Sequence, residues 1–204
     1  MIINNSLLKS LEVQNRIIGA LLMREILTRY GRHNIGFMWL FVEPMMFSLG
    51  VLGIWTTFGL HKTVLPIVPF CLIGYGSVIL WRNTISKACN AIEPNRALLH
   101  HRNVRVIDLF ISRIILEISG ATISFLFLIL FFIAIGVVSP PQDILKIISG
   151  WFLLAWFASG LALLLGSLSE LSEVVDRIWH VFSYLFLPIS GAFFLVEWLP
   201  RSIS

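Results

Sequence analysis

Few residues of this sequence stand where they could do chemistry, and the most conspicuous is a carboxylate inside an apolar run. Glu43 lies within residues 36–58 and is followed by Pro44. An ionisable group in hydrocarbon is costly and faces protein or water, and proline removes a backbone donor beside it. We therefore expect Glu43 to contact a polar group on another helix or to line a pathway. The expected partner of Glu117 is Arg113, four residues earlier on the same predicted helix.

Aromatic rings form the second group of candidate contacts, because a flat ring can stack on the face of a sugar. The chain has seven tryptophans, and those near the ends of apolar runs suit the aromatic belts of membrane proteins. Other rings are candidates for lining a channel, although spacing alone leaves open which of them face inward. The candidate channel aromatics are Phe37, Trp39, Phe41, Trp55, Trp151 and Trp156.

Motifs for hydrolysis, nucleotide binding and metal binding are missing from the sequence. It contains no G-x-x-x-x-G-K-[ST] loop, no H-E-x-x-H and no G-x-S-x-G. Cys71 and Cys89 form no CxxC pair, and the adjacent His100 and His101 are not spaced for one helix face. We therefore expect no catalytic, metal or cofactor site in the chain, and no nucleic-acid partner. Without a P-loop the chain is not expected to bind ATP itself, so the energy for any active process would have to come from a separate subunit.

The composition indicates that lipid surrounds most of the chain. Of the 204 residues, 57% are hydrophobic and 13% are charged, against about 25% charged in soluble domains. A soluble fold of this composition would expose large apolar patches. Because a spanning helix needs about 20 apolar residues, we predict one all-α, polytopic membrane bundle covering residues 1–204. The five predicted spans are residues 36–58, 64–81, 111–138, 144–168 and 178–199.

The distribution of positive charge predicts the orientation of these spans. Of the 15 Lys and Arg residues, all but Lys62, Lys146 and Arg201 lie in the N-terminal segment, in residues 82–113 or between the fourth and fifth spans. Cytoplasmic loops hold the excess of Lys and Arg, so the N-terminus is predicted to be cytoplasmic. An odd number of spans then places the C-terminal end outside. The first apolar run begins too far from the start for a cleavable signal peptide.

Residues 14–32, before the first span, predict an amphipathic helix at the membrane interface. Its apolar side holds Leu22, Met23, Ile26, Leu27 and Tyr30, and its polar side holds Arg24, Glu25, Thr28 and Arg29. Such a helix lies with its apolar side in the lipid and its arginines toward anionic head groups. Two interpretations stay open: the helix only anchors the topology, or it also acts as a gate or docking element.

Residues 82–110 form the longest predicted aqueous segment. Proline disfavours helix at the residue before it, so a short helix over 84–93 should end before Pro94, and Asn95 is placed to cap a second helix that reaches His101. Basic, partly apolar helices suit a groove on a soluble partner; the alternative is a solvated, positively charged loop. The candidate contact residues are Lys87, Glu93, Arg96, His100, His101, Arg102 and Arg105.

Longer runs of the sequence resemble a known family. The run GALLMREILTRYGR at 19–32 leads into IGFMWLFVEP at 35–44. Together they resemble the opening of type-2 ABC exporter permeases, and in particular the capsular polysaccharide export group of the KpsM, BexB and CtrC type. Residues 81–83, 95–105 and 115–121 are also similar to that group. The resemblance extends from about Gln14 onward, and its first run is the specific part.

The resemblance implies a function and a set of partners. Permeases of this group form homodimers in the bacterial inner membrane and pair with two copies of a nucleotide-binding ATPase, which drives export of a lipid-linked capsular polysaccharide. A polysaccharide co-polymerase and an outer-membrane export protein are further implied partners. The helix before the first span would gate polymer entry, and residues 84–105 would dock on the ATPase. The implied gate-helix residues are Arg24, Glu25, Arg29, Tyr30 and Arg32.

One feature departs from the family pattern. Family members have six spans with both ends cytoplasmic, whereas this sequence contains five predicted spans. A shortened chain, or a truncated product that inserts without transporting, is therefore an alternative expectation. Permeases for other polymers, such as O-antigen or teichoic acid, and an assembly protein without transport activity also remain open.

Overall fold

The computed structural model describes residues 2–30, 34–57, 67–100 and 104–190, and the regular structure in these ranges is helical. The predicted all-α class is therefore confirmed. A 3₁₀-helix at Glu93–His100 separates the third and fourth α-helices. The α-helices are α1 (Ile2–Tyr30), α2 (Asn34–Thr57), α3 (Ile67–Cys89), α4 (Val106–Ala134), α5 (Ile144–Leu171) and α6 (Glu173–Ile189).

Helix α3 lies at the centre of the bundle and contacts α2, α4, α5 and α6. A helix that is apolar on most sides is stabilised when other helices surround it. The side chains of α3 that are buried by its neighbours include Cys71, Leu72, Tyr75, Leu80 and Ile85. The core is therefore built around α3, and the other helices are positioned by their contacts with it.

Paired contacts show that helices α2 to α6 alternate in direction. Gly76 of α3 lies beside Phe125 of α4. Farther along α3, the carbonyl of Lys87 accepts a hydrogen bond from Arg113, which comes earlier on α4, so these two helices are antiparallel. Equivalent pairs show that α3 runs parallel to α5 and antiparallel to α2 and α6. This alternation is the order that a chain crossing a membrane repeatedly must have.

Three helices in the described part of the chain are long and apolar enough to cross a membrane: Met38–Thr57, Val106–Ala134 and Ile144–Leu171. They coincide with the first, third and fourth predicted spans. The second predicted span falls on α3, which carries Arg82 and Lys87 toward its end. The fifth falls on α6 and continues beyond the described residues. The total of five spans therefore stays a prediction.

The segment after the second predicted span differs from the expected pair of short helices. Helix α3 continues without a break through residues 84–89, because Ile85, Ala88 and Cys89 belong to the buried core that also includes Phe110 of α4. The predicted cap at Asn95 is also wrong. Asn95 lies inside the 3₁₀-helix, and its side-chain Nδ2 donates back to the carbonyl of Ala91 at 2.9 Å.

Candidate functional site

Two charged residues of helix α1, Glu25 and Arg29, are turned toward the protein. The side chains of Glu25 and Arg29 are 12% and 17% exposed, whereas Met23 and Leu27 are 59% and 45% exposed on the outer side. The sequence suggested the reverse, with arginines toward lipid head groups. For Arg29 that expectation is wrong, because α4 offers it a buried carboxylate.

Four side chains form the α1–α4 ion-pair cluster, which consists of Glu25, Arg29, Arg113 and Glu117. Within α1, Arg29 Nε lies 2.9 Å from Glu25 Oε1. Between the helices, Arg113 Nη2 lies 3.1 Å from the same oxygen, and Arg29 Nη1 donates to Glu117 Oε1. Two guanidinium groups and two carboxylates thus alternate, and the formal charge of the cluster is zero.

The predicted pair of Arg113 with Glu117 is replaced by pairs between helices. Arg113 bonds to Glu25, and Glu117 bonds to Arg29. The pairs form between the helices because α1 and α4 run parallel here. Each acid of one helix therefore lies beside a base of the other. The cluster therefore holds α1 against α4 and is more than a local contact within α4.

Because the cluster is buried, leaving any of its four charges unpaired would cost free energy. The side chains of Arg113 and Glu117 are 8% and 9% exposed, and Glu117 lies twelve residues beyond Arg105, about 18 Å along α4. Ionised groups away from water are tolerated when they are paired, and removing one partner leaves an uncompensated charge. The cluster consequently favours positions of α1 in which all four charges are paired.

Arg113 also connects the cluster to the end of α3. Its Nη1 donates to the main-chain carbonyl of Lys87 at 3.2 Å. Lys87 precedes the end of α3 by two residues and belongs to the segment predicted to dock on an ATPase. One guanidinium therefore touches both the proposed gate helix and the start of the proposed coupling segment.

Two further hydrogen bonds hold the rest of α1. Gln14 Nε2 donates to Asp108 Oδ1 at 2.7 Å, near the start of α4. Arg24 Nη1 donates to Asn95 Oδ1 at 2.5 Å, in the 3₁₀-helix. Together with the ion-pair cluster, they attach α1 to α4 and to the segment between α3 and α4.

Glu43 lines a cleft between α2 and α3, where Arg82 and Asn83 form the opposite wall. Within the described ranges no residue forms an ion pair or hydrogen bond with its carboxylate, and its role stays a prediction. A second, narrower cleft shares Glu43 and extends to Arg29 and Glu117. The carboxylate thus faces an open space that reaches the ion-pair cluster.

The candidate aromatics separate into inner and outer positions. Trp55 is buried against Tyr75 in the core. Trp151 stacks on Phe125 at a ring distance of 4.2 Å, and its Nε1 donates to Thr122 Oγ1 at 2.9 Å. These two tryptophans pack helices together, since Trp55 is buried and Phe125 covers one face of the Trp151 ring.

The remaining candidate aromatics lie elsewhere. Trp39 and Trp156 are exposed on the outer surface of the bundle. Phe41 is half-buried, and its carbonyl accepts a hydrogen bond from Ser124. The side chain of Phe37 lies outside the described residues. Spacing could not separate these cases, because the helices carry aromatic residues on several sides.

The candidate docking residues share the surface between α3 and α4. Glu93, Arg96, His100 and Arg105 are exposed there, and Lys87 is half-buried. The predictions for His101, Arg102 and Arg32 and for the side chain of Tyr30 fall outside the described residues. The exposed group carries both signs of charge at the end of the bundle where α3 ends and α4 begins.

Sequence reasoning missed the link between α1 and α4, although the sequence contains a signal for it. Glu25 and Arg29 are an acid and a base four residues apart, and Arg113 and Glu117 are a base and an acid with the same spacing. Two charged pairs in reversed order match each other on helices that run in one direction. The contacts of Gln14 with α4 had no comparable signal.

Comparison with known proteins gives relatives that cover most of the chain. The capsule polysaccharide export inner-membrane protein CtrC of Neisseria meningitidis serogroup A is 45% identical over 200 residues, which is 98% of this chain and 76% of that protein. The protein BexB of Haemophilus influenzae, with the same description, is 42% identical over 193 residues, or 94% and 73% of the two chains.

A more distant relative is the polysialic acid transport protein KpsM of Escherichia coli. It is 29% identical over 158 residues, which is 75% of this chain and 60% of that protein. No family model matches the chain. Because its identity to CtrC extends over most of both chains, the chain belongs to the family of capsule polysaccharide export inner-membrane proteins.

Proposed function

We propose that this chain is the transmembrane permease subunit of an ATP-driven ABC exporter for lipid-linked capsular polysaccharide. The observation that carries this proposal is the identity of 45% to CtrC over 98% of the chain. In the proposal, two copies of the permease form the channel and each pairs with one copy of the ATPase. The protein lies in the inner membrane, in keeping with its relatives and its apolar helices.

The arrangement of Arg113 supports a mechanical role for the ion-pair cluster. Work done by an ATPase has to pass from an aqueous segment into helices surrounded by lipid. A movement at the end of α3 would reach Arg113 through the carbonyl of Lys87 and then α1 through Glu25. Because the four charges are buried, they would move together or exchange partners together. The cluster is thus suited to couple ATPase docking to the position of α1.

In this proposal the chain itself performs no hydrolysis and binds no cofactor. ATP and Mg²⁺ are bound by the ATPase subunit, and the permease supplies the passage. The cleft between α2 and α3 would form part of that passage. Its polar lining consists of Glu43, Arg82 and Asn83. The polysaccharide co-polymerase and the outer-membrane export protein would continue the route beyond this membrane.

Purification from membranes tests the proposal. We expect a nucleotide-binding ATPase to copurify with the tagged chain in equal amounts, identified by mass spectrometry. Arg96→Glu, in the exposed 3₁₀-helix, should lower the recovered ATPase about tenfold, whereas the matched control Lys146→Glu, near the start of α5, should not. The proposal would be contradicted if the chain is recovered at normal yield with no ATPase bound, from cells that export capsule normally.

A further inference from the structure

We propose that the cleft between the first half of α1 and the start of α4 binds the head group of an anionic phospholipid. The cleft has a volume of about 350 Å³, which is large enough for a phosphate and the group attached to it. Lys9, Ser10 and Gln14 line it from α1, and Arg105 and Asp108 line it from the start of α4. It lies apart from the ion-pair cluster and from the cleft of Glu43.

The charges of this cleft favour an anion. Lys9 and Arg105 are exposed, and within the described ranges neither forms an ion pair with a carboxylate. Asp108 is 1% exposed and already accepts hydrogen bonds from Gln14 Nε2 at 2.7 Å and from the backbone N–H of Arg105 at 3.0 Å. The acid is therefore satisfied within the protein, and the two cations at the rim are available to phosphate oxygens.

The length of α4 places the cleft at the level of lipid head groups. Its 29 residues measure about 43 Å, which matches the roughly 40–45 Å thickness of a bilayer with its head groups. Arg105 directly precedes the first residue of α4, so it lies at the edge of the bilayer on the side predicted to be cytoplasmic. Basic pockets at this level beside membrane helices bind anionic head groups.

The apolar surroundings favour a lipid over an acidic segment of a protein partner. Val13 and Ile17 form part of the cleft wall, and Val106 and Ile107, which follow Arg105, expose 43% and 41% of their surface. An acyl chain attached to a head group in the cleft would cover such side chains, whereas an isolated carboxylate would not need them. A bound lipid would therefore bridge α1 and α4 some distance from the ion-pair cluster.

Lipid retention by the purified full chain tests this inference. We would exchange the protein into mixed micelles with equal amounts of phosphatidylglycerol and phosphatidylcholine and measure bound lipid by native mass spectrometry. The wild type should retain phosphatidylglycerol preferentially. The double variant Lys9→Gln, Arg105→Gln should lower this preference about thirtyfold, because each basic residue near an anionic surface contributes roughly fivefold.

Two controls and three results decide the outcome. Lys146→Gln, which removes an exposed cation paired with Asp143, should keep the preference, and so should the charge-preserving Lys9→Arg, Arg105→Lys. Equal retention of both lipids by the wild type, or unchanged retention by the glutamine variant with normal helical content, would overturn the inference. Displacement of the lipid by millimolar inorganic phosphate would also overturn it, since the cleft would then be a site for free anions.

Discussion

The contact of α1 with α4 and the contact of α3 with α5 join helices in different ways. Buried ion pairs and hydrogen bonds hold α1, with Glu25 and Arg29 facing α4. Small side chains hold α5, where Ala158 and Ala162 are fully buried and Gly166 lies against the backbone of Ala88. Close packing of small residues is a general means of joining helices in lipid, where apolar surface alone provides little attraction.

The two contacts differ in what they require of the helices that they join. Contact between small residues is lost gradually when two helices move apart, and nothing specifies a second position. A cluster of two acids and two bases has discrete arrangements, and each arrangement must satisfy all four charges. Pairing of four buried charges therefore holds α1 against α4, whereas close packing of small residues holds α5 against α3.

Removing one charge of the cluster should have the largest effect. Arg113→Ala leaves Glu25 and Glu117 with a single guanidinium between them, so we expect a loss of about 3–5 kcal/mol in the free energy of unfolding. Denaturation of the purified protein in micelles measures it. Arg16→Ala is the control, since its pair with Glu12 is exposed and surface pairs contribute about 0–1 kcal/mol.

The exchange of two charges sharpens this prediction. Glu25→Arg combined with Arg113→Glu keeps two acids and two bases in the cluster. It should recover part of the stability lost in Arg113→Ala, because the charge between the two helices is again balanced. The single variants Glu25→Arg and Arg113→Glu are the reference. If the double variant loses as much free energy of unfolding as the two single variants together, packing and not charge pairing joins α1 to α4.

A methyl group added between α3 and α5 should have the next largest effect. A Cβ at Gly166 would lie 2.6 Å from Phe110 Cε1 and 3.2 Å from the carbonyl oxygen of Ala88. Since the backbone of α3 cannot move alone, Gly166→Ala should destabilise the protein by roughly 1–3 kcal/mol. Gly160→Ala, with no atom within 4 Å of the new Cβ, should be neutral or stabilising. Equal effects at both glycines would contradict the packing argument.

Glu43→Gln should change transport with little effect on stability. Glu43 is exposed on its cleft, so the free energy of unfolding should change by less than about 0.5 kcal/mol. Capsule at the cell surface should nevertheless fall severalfold at equal protein level, because the cleft loses its acid. Flow cytometry with a capsule-specific antibody measures this. A normal amount of capsule at the cell surface would show that Glu43 has no role in export.

The last prediction is chemical and concerns Cys89 at the end of α3. Burial raises the pKa of its thiol from 9.0 to about 11, so the neutral form dominates in the folded protein up to that pH. Since the thiolate is the nucleophile, maleimide labelling of Cys89 should stay slow at pH 7 to 9. A cysteine introduced by Arg96→Cys should react at least about a hundredfold faster. Similar rates at both positions would show that the end of α3 opens readily.

Much of the fold was predictable because long apolar runs have few alternatives in lipid. The span predicted over residues 111–138 overlaps most of α4, which begins at Val106 and ends at Ala134, and the short turn before α5 follows from its prolines. Residues 84–89 were harder, because their polar side chains suggested an aqueous loop while Ile85 and Ala88 supplied the core contacts that keep α3 helical. The aromatic residues were ambiguous for the same reason, since burial depends on which neighbour a ring meets.

The sequence by itself determined the helical class, the lipid surroundings and the expected orientation, because those depend on composition and on the placement of Lys and Arg along the chain. Only the tertiary structure decided which charges pair. Arg113 and Glu117 are suitable partners for each other on an isolated helix, and Glu25 and Arg29 are as well. The approach of α1 to α4 links the two pairs, since buried charges favour the arrangement that satisfies all of them.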